Sequence, residues 1–299
     1  MGMNRSNDKC ILSLDAGGTT IKYALVPSSG QNLQGFGEIP VDSNGKAEEI
    51  EDSYRQVIRT ALTKAKEADL VVEGIGVSTP GPFDYPSGTY LMTHKFAAMY
   101  GVSIKTVMEQ EVNQIPIRFM HDSHAFLLGE IQNPIYASFK KPCAVMLGTG
   151  LGFALMEHGK ILCNETGGPK VSIFKRPYRG SIAEEYLSKR GIMRIYEELG
   201  GKAQTTVKEL DKQAHAGDEL SQKVFSVTGW HAAHILAPLI LEHSIDCVIL
   251  GGQISKADEL LTGPIKTTLR ELSIDCFVGK AQTIDSAPLF GVAHLFEEN

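Results

Sequence analysis

The sequence predicts a two-domain α/β protein, and three observations lead to this fold class. At 299 residues the chain is long for one hydrophobic core and suits two domains. Short apolar runs typical of strands alternate with segments whose apolar residues follow the helical period. A glycine-rich turn between two apolar runs occurs once in each half, at 17–18 and at 148–152, which indicates a duplicated design.

The first half begins with strands. Apolar runs at 10–15, 21–26 and 33–39 predict a meander, because the glycine pair between the first two runs suits a tight turn. Residues 47–68 predict a helix, since their apolar side chains recur with a period of about 3.6. The elements predicted after it are a strand at 71–78, a helix near 103–112, a strand at 115–120 and a helix that starts at Ser123.

The second half repeats the alternation of strands and helices. Predicted strands lie at 143–147, 153–156, 246–250 and 275–279. Predicted helices lie at 181–199, 205–215, 218–243 and 256–272, and Pro238 is expected to kink or end the third of them. We therefore expect an N-terminal α/β domain at 1–120, a C-terminal α/β domain at 121–286, and a last helix at about 287–299 that packs back onto the first domain.

Composition excludes several classes of function. The formal net charge of −6 argues against a nucleic-acid partner, which would favour a basic face. No apolar run approaches the ~20 residues of a membrane span, and the N-terminus lacks a secretory pattern, so we expect no membrane partner. The five scattered cysteines lack zinc-site spacing and indicate reduced thiols, which favours a cytoplasmic protein.

The first glycine turn has the chemistry of a phosphate site. Glycine lets backbone N–H groups approach an anion, and hydroxyls and a lysine add further donors. Asp15, just before the turn, is a candidate carboxylate for Mg²⁺, which prefers one or two carboxylates with waters and phosphates. An ordinary hairpin is the alternative for this stretch taken alone. The candidate phosphate-binding residues are Gly17, Gly18, Thr19, Thr20 and Lys22.

Two further junctions between a strand and a glycine turn extend this pattern. The second is the turn at 148–152 between two apolar runs, and the third, Gly251 and Gly252, follows a buried strand and precedes a helical segment. Three such junctions suggest one nucleotide bound from several sides. The candidates in the second turn are Gly148, Thr149, Gly150 and Gly152.

Two strand ends supply candidates for a second substrate. The strand at 71–78 stops at a Thr-Pro-Gly-Pro sequence, and Gly81 is a candidate for backbone approach to a ligand, although a plain turn is equally compatible. Asp122 lies between a strand end and a helix N-terminus, a position that favours an ionised carboxylate. A helix cap is the alternative role for this residue.

The order of five motifs resembles the ROK family (repressor, open reading frame, kinase) of bacterial sugar kinases, in the actin-like ATPase superfamily. The motifs are Leu14–Lys22, Gly74–Pro82, His121–His124 with the following Leu128–Glu130, Gly148–Gly152 and Leu250–Ser255. The resemblance implies a two-domain actin-like ATPase (ribonuclease H-like) fold with an active-site cleft between the domains. It also implies ATP and Mg²⁺ as cofactors, a free sugar as substrate, and Asp122 as the catalytic base.

The sequence departs from the family pattern around the sugar pocket. The zinc-binding stretch with its histidine and three cysteines is missing, and Asn164–Gly180 stands in its place, so we expect no zinc site. Glu165 is one match to a sugar-binding glutamate, and Glu184 is another, unless a one-residue slip selects Glu185. His121 stands where relatives place an asparagine and is a candidate sugar contact, as are Gly81 and Asp122.

These departures leave the acceptor sugar open. A glucokinase, an N-acetylmannosamine or N-acetylglucosamine kinase, and a fructokinase-like enzyme all fit the motifs, and a homodimer is possible in each case. The alternative from another class is a non-catalytic sugar-binding or regulatory protein of the same fold. The absence of a Walker A motif and of a dinucleotide fingerprint disfavours P-loop and dehydrogenase readings.

Overall fold

The computed structural model describes residues 8–28, 32–202 and 204–297, which form two compact units. Among these residues, the first unit comprises 8–28, 32–129, 163–168 and 285–297, and the second comprises 130–162, 169–202 and 204–284. The first therefore extends beyond the expected boundary at residue 120. It also includes a short loop from the middle of the chain.

The first unit contains most of the elements expected from the sequence, with two short extra strands. In chain order they are β1 Asp8–Ala16, β2 Thr20–Pro27, β3 Gln34–Pro40, α1 Ala47–Glu67, β4 Leu70–Thr79, β5 Phe83–Asp84, β6 Thr89–Tyr90, α2 Ile104–Glu109, β7 Ile117–His121 and α3 Asp122–Glu130. A 3-10 turn lies at Ala97–Met99.

The second unit carries the remaining strands and five helices among its described residues. They are β8 Pro142–Leu147, β9 Leu151–Glu157, β10 Lys160–Ile161, β11 Pro177–Tyr178, β12 Ser181–Ile182, α4 Glu184–Leu187, α5 Lys189–Glu198, α6 Val207–His215, α7 Glu219–His243, β13 Cys247–Gly251, α8 Glu259–Glu271 and β14 Phe277–Lys280. The chain then returns to the first unit as α9, Ala287–Ala293, and a 3-10 turn, His294–Phe296. Residues 298 and 299 of the predicted last helix lie outside the described residues.

The two central sheets share one strand pattern. The order is β3-β2-β1-β4-β7 in the first unit and β10-β9-β8-β13-β14 in the second. In each, the first three strands are antiparallel and the last two run parallel to the central one. This repetition agrees with the duplicated design that the glycine turns indicate. It brings the carboxyl ends of three parallel strands to one edge of each sheet.

The helix that packs back onto the first unit does so through close backbone contact. α9 lies against β1 and β4. A side chain at Gly291 would overlap the Ala125 carbonyl of α3, so only glycine fits there. This contact explains why α3 belongs to the first unit rather than to the second.

Several boundaries differ from the sequence prediction for local reasons. The helix predicted at 181–199 is divided into β12, α4 and α5, because Ser188 adopts an extended backbone and α5 begins after it. Pro238 does not end α7, which continues to His243. A 3-10 segment, Gln253–Ala257, replaces the first turn of the helix predicted at 256–272.

Helix α7 also corrects the expectation about apolar length. Among the described residues, α7 is the one helix that is long enough and apolar enough to cross a membrane, judged by length and composition alone. In the structure 67% of its apolar window is buried within the protein. Its apolar character therefore matches that of a core helix. Serine, threonine and histidine residues interrupt its apolar residues, so the sequence shows no continuous apolar run of this length.

Candidate functional site

Asp15 lies at the carboxyl end of β1, in a half-buried position. The sheet register sets it beside Lys22 of β2 and Ser78 of β4, and the Ser78 hydroxyl donates to Asp15 Oδ1 over 2.9 Å. Burial raises the pKa of Asp15 to about 6, with a further contribution from the charge of Asp122, while the Ser78 hydrogen bond and Lys22 act in the opposite direction. A half-buried carboxylate that resists ionisation fits a site that holds a cation.

The first glycine hairpin offers fewer amide donors than its sequence suggests. The Gly17 N–H donates to the Thr20 carbonyl over 2.9 Å, so it shapes the turn and does not face an anion. Within the described residues the N–H groups of Gly18 and Thr19 have no hydrogen-bond partner. These two amides, with the hydroxyls of the adjacent threonines, remain for a phosphate.

Asp122 begins α3, directly after the end of β7. Its Oδ1 accepts from the Ser123 N–H over 2.6 Å and lies 2.9 Å from His121 Nδ1. Burial alone would raise the pKa of Asp122, but His121, the Ser123 N–H and Lys95 together lower it below its ordinary value. Its side chain is 38% exposed, and within the described chain Oδ2 has no partner. The carboxylate is therefore ionised at neutral pH, with one oxygen open to a substrate.

Gly81, Tyr85, His121, Asp122 and His124 form what we call the acceptor cluster. A Cβ placed on Gly81 would lie 3.3 Å from the Tyr85 hydroxyl oxygen and 3.4 Å from the His121 ring. The Tyr85 and His121 ring centroids are 5.9 Å apart, and those of His121 and His124 are 5.4 Å apart. The structure thus brings together three residues that the sequence proposed, Gly81, His121 and Asp122.

Tyr85 and His124 were not predicted as members of this cluster. His124 is almost fully buried, and burial lowers its pKa to about 3, with His121 adding to the effect, so its ring is neutral. Its Nδ1 lies 3.7 Å from Cys163 Sγ, and Nε2 has no partner in the described structure. The one signal in the sequence was the place of His124 in the same motif as Asp122; nothing pointed to Tyr85.

The two glutamates proposed as sugar contacts lie in different units. Glu165 is exposed, in a loop closed by the Asn164 side chain, whose Oδ1 accepts from the backbone N–H groups of Thr166 and Gly168 over 3.0 Å each. The loop belongs to the first unit, and the Tyr85 N–H donates a hydrogen bond to its Thr166 carbonyl. Glu165 itself forms no hydrogen bond or ion pair among the described residues.

Glu184, in the second unit, binds the second glycine hairpin. Its Oε2 accepts from the Leu151 N–H over 3.0 Å, and its Oε1 accepts from Arg190 over 2.8 Å. Arg190 also pairs with Glu185 at 2.6 Å. Both oxygens of Glu184 are therefore used within its own unit, Oε2 by the hairpin and Oε1 by Arg190.

The second hairpin keeps two exposed amides for an anion. The Gly148 N–H donates to the Gly150 carbonyl, and the Lys189 N–H donates to the Gly148 carbonyl over 2.8 Å. A Cβ on Gly150 would lie 3.0 Å from Glu184 Oε2, so this position has little room for a side chain. The N–H groups of Thr149 and Gly150 have no partner in the described part of the chain.

The third glycine junction lies beside the second within the same unit. Gly251 ends β13, and Gly252 has a φ of 79°. A side chain on Gly252 would overlap the Leu147 carbonyl at the base of the second hairpin. The structure thus brings these two predicted nucleotide motifs together. Gly152 has a structural role, since it pairs with Met146 in the ladder between β8 and β9.

The segment that replaces the zinc stretch is held by aromatic and cationic side chains. Arg179 lies over the Trp230 ring at 4.9 Å, and the Tyr178 hydroxyl is 2.9 Å from His231 Nδ1. The Trp230 and His234 rings are in tilted contact, with ring centroids 4.0 Å apart. Across the described residues no group of three or more His, Cys, Asp or Glu side chains is arranged to hold a metal. The residues present therefore do not fit the family's zinc.

We expect the purified protein to contain no stoichiometric zinc. Cys163 has a histidine, His124, beside it, but a structural zinc needs four ligands. Burial also raises the pKa of the Cys163 thiol, which disfavours the thiolate form that binds zinc. Elemental analysis after gel filtration is the measurement, with a known zinc protein prepared in parallel. One tightly held zinc per chain would contradict this assignment of residues 163–180.

Curated proteins similar to this chain include sugar kinases. A curated relative, a glucokinase of Thermotoga maritima, is 24% identical over 96% of this chain and 97% of its own. An N-acetyl-D-glucosamine kinase of Mannheimia succiniciproducens is 23% identical over 96% and 99%, respectively.

Solved structures share the fold. A ROK family glucokinase from Streptomyces griseus in complex with glucose and AMPPNP has a TM-score of 0.76 and 23% identity, over 96% of this chain and 98% of that one. A ROK family transcriptional regulator has a TM-score of 0.83 and 17% identity, over 96% and 77%. The predicted actin-like ATPase fold is confirmed. The ROK family profile matches residues 11–299, and the chain therefore belongs to the ROK family.

Proposed function

We propose that this protein is an ATP-dependent kinase that transfers the γ-phosphoryl group of ATP to a hydroxyl of a free hexose or amino sugar. The observation that carries this proposal is Asp122, an ionised carboxylate with an open oxygen at the mouth of the acceptor cluster. A regulator needs no such base. The transcriptional regulator of the same fold keeps the non-catalytic alternative in view.

The proposed reaction assigns each group a task. Asp122 Oδ2 accepts the proton of the sugar hydroxyl while the hydroxyl oxygen forms a bond to the γ-phosphorus of ATP. The bond between the γ-phosphorus and the oxygen that bridges it to the β-phosphorus breaks at the same time, and ADP leaves. His121 Nδ1 lies 2.9 Å from Asp122 Oδ1, and this contact holds the orientation of the carboxylate. Mg²⁺ bound with the nucleotide would neutralise phosphate charge, and Asp15 is the carboxylate that would hold it.

Each unit by itself offers amides that we propose as phosphate contacts. In the first unit these are the amides of Gly18 and Thr19, with Thr20 and Lys22 nearby. In the second they are the amides of Thr149 and Gly150, in a hairpin that Glu184 holds in place. Since phosphoryl transfer needs little covalent chemistry from the protein, such positioning supplies much of the rate.

Acceptor-dependent release of ADP tests the proposal. Purified protein with ATP and Mg²⁺ is assayed against a panel of hexoses and acylated amino sugars, and at least one acceptor should stimulate ADP release well above the sugar-free rate. Binding of a sugar without turnover on any acceptor would favour the non-catalytic alternative.

We expect the wild-type protein to use plain glucose poorly and another hexose or an acylated amino sugar better. His121 Nδ1 is within hydrogen-bond distance of Asp122 Oδ1 and Ser123 Oγ. Among the described residues this leaves Nε2, near Gly81, as the one ring nitrogen open to a sugar hydroxyl. An asparagine at this place would offer both a donor and an acceptor. His121→Asn should therefore change the ratio of kcat/KM between the best sugar and glucose by about 10-fold.

Kinetics across the sugar panel for wild type and His121→Asn check this expectation. His158→Asn, at an exposed turn after β9, is a matched control that should leave the ranking unchanged. Glucose as the best substrate of the wild type would contradict the proposed preference. An unchanged ranking in His121→Asn would remove His121 from the sugar pocket.

A further inference from the structure

Lys95 lies two residues before the 3-10 turn Ala97–Met99, and its side chain approaches the first glycine hairpin. A Cβ placed on Gly18 would lie 3.9 Å from Lys95 Cδ. Lys95 is exposed and has no hydrogen bond or ion pair with any described residue. Its ammonium group is therefore a positive charge that no residue in the described part of the chain neutralises through direct contact.

The segment that carries Lys95 is tied to the hairpin through Ser43. The Phe96 N–H donates to the Ser43 carbonyl over 2.7 Å, and the Ser43 N–H donates to the Gly18 carbonyl over 3.0 Å. Phe96 is fully buried and has a φ of 50°, a conformation that is uncommon for a bulky side chain. Backbone of this kind persists only where the surroundings fix it, and such positions cluster at functional sites.

The charges around the hairpin give Lys95 a role. Two carboxylates, Asp15 and Asp122, lie at the carboxyl ends of β1 and β7, since the sheet register sets Asp15 beside Ser78 of β4 and Ser78 beside Met120 of β7, two residues before Asp122. The positive charge of Lys22 partly offsets the negative charge of Asp15, and the positive charge of Lys95 partly offsets that of Asp122. A terminal phosphoryl group carries further negative charge, so its approach to this pair of carboxylates needs a cation on the same side.

We propose that Lys95 is a catalytic residue whose ammonium group binds the transferring phosphoryl group between the Gly18 hairpin and Asp122. This inference rests on the proposed kinase function. The positive charge would stabilise the oxygens of the phosphoryl group as the bond to ADP breaks, while the lysine keeps its own proton throughout. Lys95 would interact with the γ-phosphoryl group of ATP and have little contact with ADP.

Lys95→Met should lower kcat by about 10²-fold, and Lys95→Arg should recover a large part of the loss, because it keeps the charge. Lys105→Met is the matched control: Lys105 is a partly exposed lysine of α2, 4.0 Å from Glu109, and its removal should leave kcat unchanged. A role in sugar binding alone would instead raise KM for the sugar with kcat intact.

A binding measurement tests Lys95 without turnover. Titration calorimetry with AMPPNP and with ADP, each with Mg²⁺, should show that Lys95→Met weakens AMPPNP binding by about 10-fold and leaves ADP binding nearly unchanged. Equal affinities of wild type and Lys95→Met for AMPPNP, together with equal kcat, would overturn the assignment. Wild-type binding of AMPPNP without turnover on any sugar would refute the kinase proposal and with it the catalytic role of Lys95, and the AMPPNP titration of Lys95→Met would still decide whether Lys95 binds the terminal phosphoryl group. Binding of neither nucleotide would overturn both.

Discussion

Replacement of Asp122 by asparagine is expected to lower kcat on the best acceptor by ~10²- to 10⁴-fold and to leave nucleotide affinity nearly intact. The substitution keeps the size of the side chain and the acceptor for the Ser123 N–H, but it removes the group that takes the proton from the sugar hydroxyl. Since Asp122 is ionised over the neutral range, the loss should be similar at every pH from 6 to 8.

Steady-state turnover and AMPPNP titration of the same preparations measure the two halves of this expectation. Asp52→Asn removes an exposed carboxylate of α1 and serves as the control for a general loss of charge. Turnover of Asp122→Asn at the wild-type rate would show that Asp122 is not the base. Loss of AMPPNP binding would indicate that the carboxylate supports the nucleotide site instead.

The parts of this site that lie within one strand and its following turn could be predicted from the sequence. An apolar run that ends in an acid and two glycines defines β1 and the first hairpin, and the same logic placed Asp122 between β7 and α3. Such positions depend on neighbours along the chain. The family and the fold class, predicted from five such motifs in order, are confirmed.

The parts that depend on packing between distant segments could not be predicted. Tyr85 reaches His121 because its hydroxyl donates to the Thr79 carbonyl and its backbone binds Thr166, and no local pattern encodes either contact. Lys95 gains its place through Ser43, which follows β3 in the chain. Glu184 was proposed as a sugar contact from its motif, yet the fold engages both of its oxygens with the second hairpin and Arg190.

Asp15→Asn should separate function from stability, with opposite effects on the two. Activity should fall by ~10²- to 10³-fold, because an amide cannot supply the charge that a hydrated divalent cation needs. The protein without metal or nucleotide should become more stable at neutral pH. Asp15 must ionise there in a half-buried site near the charge of Asp122, and asparagine has no charge to bury.

The pH dependence of this stability follows from the direction of the pKa shift. Burial raises the pKa of Asp15 from 3.8 to about 6 in the folded protein, so folding favours the protonated form. The contribution of protonated Asp15 to stability is complete below about pH 3.8 and is lost as the pH rises through about 6. The wild type should thus lose stability relative to Asp15→Asn across this window, by about 1 to 2 kcal/mol after allowance for partial solvent exposure.

Urea unfolding of wild type and Asp15→Asn in the presence of a chelator, at pH values from 4 to 8, measures the effect. Ser78→Ala is the matched variant, because it keeps the carboxylate and removes its one hydrogen bond from a side chain. That hydrogen bond lowers the pKa of Asp15, so its loss should move the window to higher pH. A stability difference between wild type and Asp15→Asn that stays constant over this range would show that burial does not raise the pKa of Asp15. Its fit to a cation would then lose its physical basis.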